Sequence, residues 1–294
     1  MKKFNITTDS SCDHILDELT KKGIDVIYFP YTCEGKEYRS SLDKDDYHKF
    51  YEEMRNGKVF RTSQINMQEY YEFFKRKLKD NLPIIHISLT EGLSNSINNA
   101  REAAKLLKNE YPDSLIINID SRIASLGVGL VVDEAYKLQQ AGKEANEVEE
   151  YLLEFVKHVN TFYVTDTLTY FARGGRLSKV AAFIGNALKM NVVLDCNPIG
   201  NLRIVKKIRG SKAANEFIIN KICETVENAE NQTLYICNAE NPTKANELGQ
   251  IIKDKAHFKD CLITNMGMII GAHTGPGLVA FFYVGKVRPE EYKS

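Results

Sequence analysis

Residues 83–120 read PIIHISLTEGLSNSINNAREAAKLLKNEYPDSLIINID, and this stretch decides the fold class. The apolar run at 83–88 predicts a buried strand, and a similar run at 114–120 predicts a second one. Between them, the spacing of apolar residues at 94–110 is typical of a helix. Because strands joined through a helix build parallel sheets, the segment predicts an α/β protein.

The same alternation extends toward the amino terminus. After the first strand, Ser10, Ser11 or Asp13 is expected to cap a helix, since each side chain can accept a hydrogen bond from a free backbone N–H. The predicted elements are a strand at 4–9, a helix ending near Lys22, a strand at 24–31 and helices at about 43–56 and 66–79. This half is expected to form a mainly parallel sheet covered by helices.

The pattern changes after two predicted helices that span roughly 123–158. NVVLDC, the turn NPIGN and LRIVKKI alternate like a β-hairpin with Gly200 in the turn, which indicates a second domain with a mixed sheet. The remaining predicted elements are helices at about 211–227 and 243–255, a strand at 232–239, a glycine-rich loop at 271–277 and the closing strand LVAFFYVG. The chain has 294 residues, enough for two domains, which we expect at 1–158 and 159–294.

Composition and charge exclude several classes of protein. Lys plus Arg and Asp plus Glu both number 39, so no net charge favours nucleic acid or anionic lipid as a partner. No window reaches the roughly 18 apolar residues of a membrane span, and the polar start does not resemble a signal peptide. The 6 cysteines form no C-x-x-C pair and the 6 histidines no H-x-x-x-H pair. We therefore expect reduced thiols, a cytoplasmic location, no stable membrane insertion and no metal.

Three polar or glycine-rich stretches are expected where strands give way to loops, the places where α/β sheets bind ligands. They are Arg61-Thr62-Ser63-Gln64, Leu93-Ser94-Asn95-Ser96 and Gly271-Ala272-His273-Thr274-Gly275-Pro276-Gly277. Ser94 precedes a strong helix whose first N–H groups attract anions, so a carboxylate or phosphate fits there. Alternatively Ser94 only caps the helix, and the two roles are compatible because a capping serine keeps its own hydrogen. For His273 the alternative is a hydrogen-bonded structural histidine beside a tight turn.

Two further stretches concentrate positive charge. Residues 171–178 place two arginines around a Gly-Gly turn, with Ser178 expected to cap the next helix. Arginine side chains can recognise a carboxylate or phosphate, but here we expect them to bond backbone carbonyls. Residues 206–212 contain three lysines and Arg209. This basic patch is either a solvated strand edge or a docking surface for a partner that handles phosphate.

The catalytic and nucleotide-binding motifs of other families are absent or incomplete. There is no G-x-x-x-x-G-K-[ST] loop, and GVGLVV (127–132) lacks the third glycine of a dinucleotide site, so no cofactor is expected. Gly92-Leu93-Ser94-Asn95-Ser96 resembles the G-x-S-x-G of serine hydrolases except at its last position. One alternative function is therefore a lipid or ester hydrolase with Ser94 as nucleophile, His273 as base and Asp120 as orienting residue. Another is a sensor whose lobes close on a small acid.

Seven motifs, taken in order, resemble those of the DegV family. They are TTDSSCD, RTSQ, LSNSINNA, IDSRIASLGVG, FARGGRLS, the segment from NPIGNLR to IRG, and GAHTGPG. The resemblance runs from about Ile6 to Gly285, nearly the whole chain. That family includes the FakB fatty-acid-binding subunits of bacterial fatty acid kinase.

The resemblance implies a two-domain α/β protein that buries a long-chain fatty acid and holds its carboxylate near the domain interface. A separate, ATP-binding fatty acid kinase subunit would phosphorylate the acid, so the protein would catalyse no complete reaction alone. Thr62 and Ser94 would bond the carboxylate, and Arg209 and His273 would help present it to the kinase. The full implied fatty-acid-binding set is Thr62, Ser63, Ser94, Asn95, Ser96, His273 and Thr274.

The sequence departs from the family pattern at two places beside the expected head-group site. The usual L-S-G-T reads Leu93-Ser94-Asn95-Ser96, and the Pro-Ser that often follows TSQ reads Ile65-Asn66. Asn95 therefore adds a side chain where glycine would leave the backbone open to a ligand.

Overall fold

The computed structural model describes residues 2–176 and 190–291, and it confirms the predicted α/β fold. Its strands are β1 (Asn5–Asp9), β2 (Asp25–Ile27), β3 (Pro30–Cys33), β4 (Lys36–Arg39), β5 (Phe60–Thr62), β6 (Ile84–Ser88), β7 (Ile116–Asp120), β8 (Val159–Thr165), β9 (Met190–Cys196), β10 (Leu202–Arg209), β11 (Thr233–Asn238), β12 (Asp260–Asn265) and β13 (Val279–Val284). Its α-helices are α1 (Leu16–Lys21), α2 (Lys44–Arg55), α3 (Met67–Leu78), α4 (Ser96–Glu110), α5 (Leu126–Gln140), α6 (Ala145–His158), α7 (Thr169–Gly174), α8 (Ser211–Thr225), α9 (Pro242–Ala256) and α10 (Met268–Thr274). Ser178, a predicted helix cap, lies outside the described residues.

The first sheet is parallel, in the order β2-β1-β6-β7, as the sequence predicted. Every residue of β1 and β6 is buried, which is typical of a parallel sheet covered by helices on both faces. Since all four strands run the same way, the loops after β1, β6 and β7 meet at one edge of the sheet. This edge carries the LSNS stretch.

The second sheet is mixed, also as predicted, in the order β10-β9-β8-β13-β11-β12. Strands β11 and β12 are parallel, and the other neighbours are antiparallel, including the predicted hairpin β9–β10. One hydrophobic cluster contains buried residues of both sheets, such as Ile6 and Phe282, so the two halves pack on each other. The division into domains at 158/159 stays a prediction.

The prediction of a single strand at 24–31 is wrong. Residues Asp25–Ile27 pair with β1 in the first sheet, whereas Pro30–Cys33 pair with β4 and β5 in a separate three-stranded antiparallel sheet. An apolar run has the same pattern whether it lies in one sheet or crosses between two. The small sheet brings Thr62, the last residue of β5, toward the first sheet's carboxyl edge.

Two local predictions near glycines and serines also need correction. Ser10–Cys12 form a short 3-10 helix capped by Asp9, and α1 begins only at Leu16, after Ile15, without a side-chain cap. The prediction of a loop at 271–277 is wrong for its first four residues, which form the end of α10 (Met268–Thr274). Strands β4, β5, β8 and β12 were not predicted. Across residues 2–176 and 190–291, every helix is too short or too polar to cross a lipid bilayer.

Candidate functional site

A largely apolar cavity lies between the two main sheets, beside the carboxyl edge of the first. The space between its wall atoms is about 650 Å³, a volume that includes solvent at its open mouth. Its wall is formed by Phe29, Thr62, Ser63, Gln64, Leu89, Leu93, Ser94, Ala124, Tyr163, Phe171, Arg176, Leu202, Ile269, Ile270, His273 and Thr274. The cavity therefore joins residues from all three stretches that the sequence singled out.

Thr62 and His273 are hydrogen-bonded to each other in this wall. The Thr62 Oγ1 and His273 Nε2 atoms are 2.8 Å apart, and either can donate, depending on the tautomer. His273 Nδ1 is buried and has no hydrogen-bond partner among the described residues. Burial, together with the nearby charge of Arg176, lowers the pKa of His273 to about 4. The ring is therefore neutral at pH 7.

The helix α7 approaches His273 very closely. A Cβ atom on Gly174 would lie 2.1 Å from His273 Nδ1, so only glycine allows this approach. The next turn bends through Gly175, which has φ +69°. The Gly-Gly pair of the FARGGR motif therefore allows α7 to pack against His273 and to end in a tight turn.

Ser94 and Ser96 hold two loops together at the start of α4. Their Oγ atoms are 3.1 Å apart, and Ser94 Oγ also accepts from Ser96 N at 3.3 Å. Ser96 Oγ accepts from the backbone N–H of Ile65 at 3.2 Å, and Asn99 Nδ2 donates to the carbonyl of Ile65 at 2.7 Å. Ser96 is fully buried and positions the TSQ loop, whereas Ser94 reaches the cavity. A serine hydroxyl in this position can still bond a ligand.

The remaining predicted site residues lie in different surroundings. Thr274 is buried in the wall and donates to Met266 Sδ at 3.2 Å, and Ser63 is exposed at its edge. Asn95 is exposed, does not line the cavity, and accepts from Asn98 Nδ2 at 2.6 Å. Arg209 is exposed at the end of edge strand β10 and is likewise not part of the wall. The side chain of Asn95, which departs from the family pattern, is therefore exposed to solvent.

Arg176 is a wall residue for which the sequence favoured a structural tie over binding of an anion. It makes the expected ties, with Nε 3.4 Å from the Leu93 carbonyl and an NH1 donor 2.7 Å from the Gly174 carbonyl. Its guanidinium also brings positive charge to the cavity, which suits an anion. The FARGGR motif was the sequence signal from which a role of Arg176 in binding an anion could have been predicted.

A serine hydrolase triad is not assembled among the described residues. Ser94 bonds Ser96 rather than His273. The carboxylate of Asp120 accepts from the backbone N–H groups of Arg122, at 2.7 Å, and Glu91, at 3.4 Å. Since His273 Nδ1 has no partner there, neither of the two bonds that define a triad is formed.

Known proteins of similar sequence and structure agree on one family. The model of the family described as "Uncharacterised protein, DegV family" matches residues 3–286. A DegV domain-containing protein of Clostridium perfringens is 32% identical over 291 residues, covering 98% of this chain and 99% of its own. A DegV lipid binding protein from Thermotoga maritima is 26% identical, covers 98% of this chain and 100% of its own, and superposes with a TM-score of 0.84. A second T. maritima protein, described as revealing fatty acid binding function, is 25% identical over 97% of this chain and 100% of its own, with a TM-score of 0.83. The chain belongs to the DegV family.

Proposed function

We propose that the protein binds one long-chain fatty acid, with its hydrocarbon tail in the apolar cavity and its carboxylate at Thr62 and Ser94. The observation that carries this proposal is the composition of the wall: hydroxyl donors stand in a cavity otherwise formed mainly by apolar side chains. The two T. maritima relatives described as binding lipid or fatty acid support it.

The energetics favour an acid with a long tail. Burial of about 14 methylenes at roughly 0.8 kcal/mol each contributes on the order of 11 kcal/mol before ordering costs. A buried carboxylate without donors would cost several kcal/mol. The hydroxyls of Thr62 and Ser94, and the guanidinium of Arg176, offset that cost. Because His273 is neutral, it hydrogen-bonds Thr62 without forming an ion pair with the bound carboxylate.

The first prediction concerns the ligand itself. Native mass spectrometry of protein purified from bacteria is expected to show one bound fatty acid per chain. After removal of the lipid, a long-chain acid should bind about tenfold to a hundredfold more tightly than its methyl ester, because a charged hydrogen-bond acceptor is worth roughly 1.5–3 kcal/mol. A chain that is empty in every preparation and binds neither compound would contradict the proposal.

The bound acid is further proposed to serve as the substrate of a separate, ATP-dependent fatty acid kinase subunit. In this scheme the protein presents the carboxylate and catalyses no complete reaction alone. Arg209 supports a docking role because it is exposed, together with Lys206, on edge strand β10. The cytoplasmic location, where ATP is available, belongs to the same proposal, and the free state of all 6 cysteines is in keeping with it.

Replacement of Arg209 by alanine tests the docking role. Arg209→Ala is expected to leave fatty acid affinity unchanged but to lower the rate of acyl phosphate formation about tenfold at limiting kinase, because an exposed arginine can bond the partner bidentately. Lys259→Ala, which removes an exposed charge after α9, is the control and should behave as the wild type. Equal rates for the wild type and both variants would show that Arg209 does not contact the kinase.

A further inference from the structure

Asp13 is a fully buried carboxyl that ties three separate elements together. It is 1% exposed, and it accepts from Ser125 Oγ at 2.6 Å and from the backbone N–H of Gly267 at 2.9 Å. The thiol of Cys237 on β11 lies 3.8 Å from the same carboxylate. Ser125 immediately precedes α5, and Gly267 immediately precedes α10.

No cation faces this carboxylate among the described residues. The titratable groups around it are Cys12 and Asp9 on its own segment, Cys237 on β11, and Tyr47 and Tyr51 on α2. The adjacent basic side chain, His14, bonds Asp133 instead. Burial raises the pKa of Asp13 to about 7, even though hydrogen bonds from Ser125, Gly267 and Cys237 oppose the shift.

The backbone around Asp13 is strained. Ser125 has φ 58° and ψ −145°, a region that is essentially reserved for glycine. A Cβ atom on Gly267 would lie 2.7 Å from Asp13 Oδ1, so the close approach at that point requires glycine. Such strain persists only where surrounding contacts enforce it, and it is concentrated at functional sites.

The two segments that Asp13 holds, at the starts of α5 and α10, are both next to residues of the cavity wall. Ala124 precedes Ser125, and α10 carries Ile269, Ile270, His273 and Thr274. We propose that Asp13 is a positioning residue whose negative charge fixes the starts of α5 and α10, and thereby the wall that carries His273. The inference rests on the proposed fatty acid function and adds a dependence of binding on pH.

The sign of this dependence follows from the raised pKa. A carboxyl whose folded-state pKa lies above its unfolded value of 3.8 contributes stability that is present below pH 3.8 and is lost as the pH rises through about 7. At pH 8 Asp13 is therefore charged, and this charge lowers the free energy of unfolding. The same charge strengthens the hydrogen bonds that fix the starts of α5 and α10. Because His273 is already neutral across pH 6–8, it does not produce this pH dependence.

Asp133 provides a matched control. It is also buried, but it bonds His14 at 3.0 Å, Lys22 at 2.5 Å and Tyr235 at 2.6 Å. Burial alone would raise the pKa of Asp133, but the contacts with His14, Lys22 and Tyr235 outweigh burial and hold it well below its usual range. Asp133 does not line the cavity.

The test is titration of the delipidated full chain with a fluorescent long-chain fatty acid at pH 6 and pH 8. The wild type should bind at least fivefold more weakly at pH 6. Asp13→Asn should bind weakly at both pH values, yet its thermal midpoint at pH 8 should exceed that of the wild type. Asp133→Asn should show a lower midpoint but wild-type affinity and pH dependence. Ser125→Ala removes the same hydrogen bond without changing charge, and it should also weaken binding at pH 8.

A second measurement, without ligand, separates this inference from the proposed function. The carbon-bound ring protons of His273, observed by NMR, should shift between pH 8 and pH 6 in the wild type and stay constant in Asp13→Asn. Wild-type affinity and pH dependence in Asp13→Asn, or pH-independent His273 signals in the wild type, would overturn the role of Asp13. If the His273 signals shift as expected but no fatty acid binds, the positioning role stands and the proposed ligand is wrong.

Discussion

Replacement of both Thr62 and Ser94 by alanine is expected to weaken long-chain fatty acid binding by about 2–6 kcal/mol, the sum of roughly 1–3 kcal/mol for each lost donor. The physical reason is that the tail still drives the acid into the cavity, where its carboxylate then lacks hydroxyl partners. The loss of Thr62 also leaves both ring nitrogens of His273 without a partner among residues 2–176 and 190–291, since Thr62 Oγ1 is the partner of Nε2. Titration of the delipidated variant with a labelled acid measures the effect.

The single variants and a matched threonine make this experiment specific. Thr62→Ala and Ser94→Ala should each account for part of the loss, and the sum shows whether the two donors act independently. Thr243→Ala removes an exposed hydroxyl from α9 and should bind like the wild type. Unchanged affinity in the double variant would place the carboxylate elsewhere in the protein.

Gly200→Ala is expected to destabilise the fold by about 2–5 kcal/mol. Gly200 has φ +83° in the β9–β10 turn, a conformation that costs other residues roughly 1–2 kcal/mol. Its added Cβ would also lie 1.8 Å from Thr90 Oγ1, and overpacking of this kind costs typically 1–3 kcal/mol. The turn packs on the loop after β6, where a Cβ on Gly92 would in turn lie 2.7 Å from the Gly200 carbonyl. We expect fatty acid affinity to fall as well, because Leu93 and Ser94 belong to that loop and line the cavity.

Gly142→Ala separates the two causes. Gly142 has a similar φ of +77°, but an added Cβ would meet no atom of the described residues within 4 Å. Its cost should therefore be only the backbone part, roughly 1–2 kcal/mol. Chemical denaturation of both variants gives the difference, which is the cost of contact between the turn and Thr90. Equal losses would mean that the turn moves away without strain.

The sequence predicted most of the regular elements because their signals are local. The capping box at Asn66 and Glu69 marks the start of α3, with Glu69 N donating to Asn66 Oδ1 at 2.9 Å. The alternation around Gly200 marks the hairpin, and the apolar run at 84–88 marks a strand buried on both sides. The crossing of the chain between sheets at 28–30 escaped prediction, because the pattern of one strand does not state which strand it pairs with.

For the candidate site, the sequence identified Thr62, Ser63, Ser94, His273 and Thr274, which the structure places around one cavity. It did not reveal that Arg176 joins them, that Asn95 turns to solvent, or that Ser96 serves the TSQ loop. Motif order shows which polar groups occur, whereas the direction of a side chain depends on what packs against it.

The sequence by itself determined the α/β class, the parallel and mixed sheets and the family, because residue periodicity and motif order are properties of the chain alone. Only the tertiary structure decided that Thr62 and His273, 211 positions apart, share a hydrogen bond, and that Asp13 connects the starts of α5 and α10. The physical reason is that burial, close approach at glycine and the pKa of a carboxyl depend on neighbours that are distant in sequence.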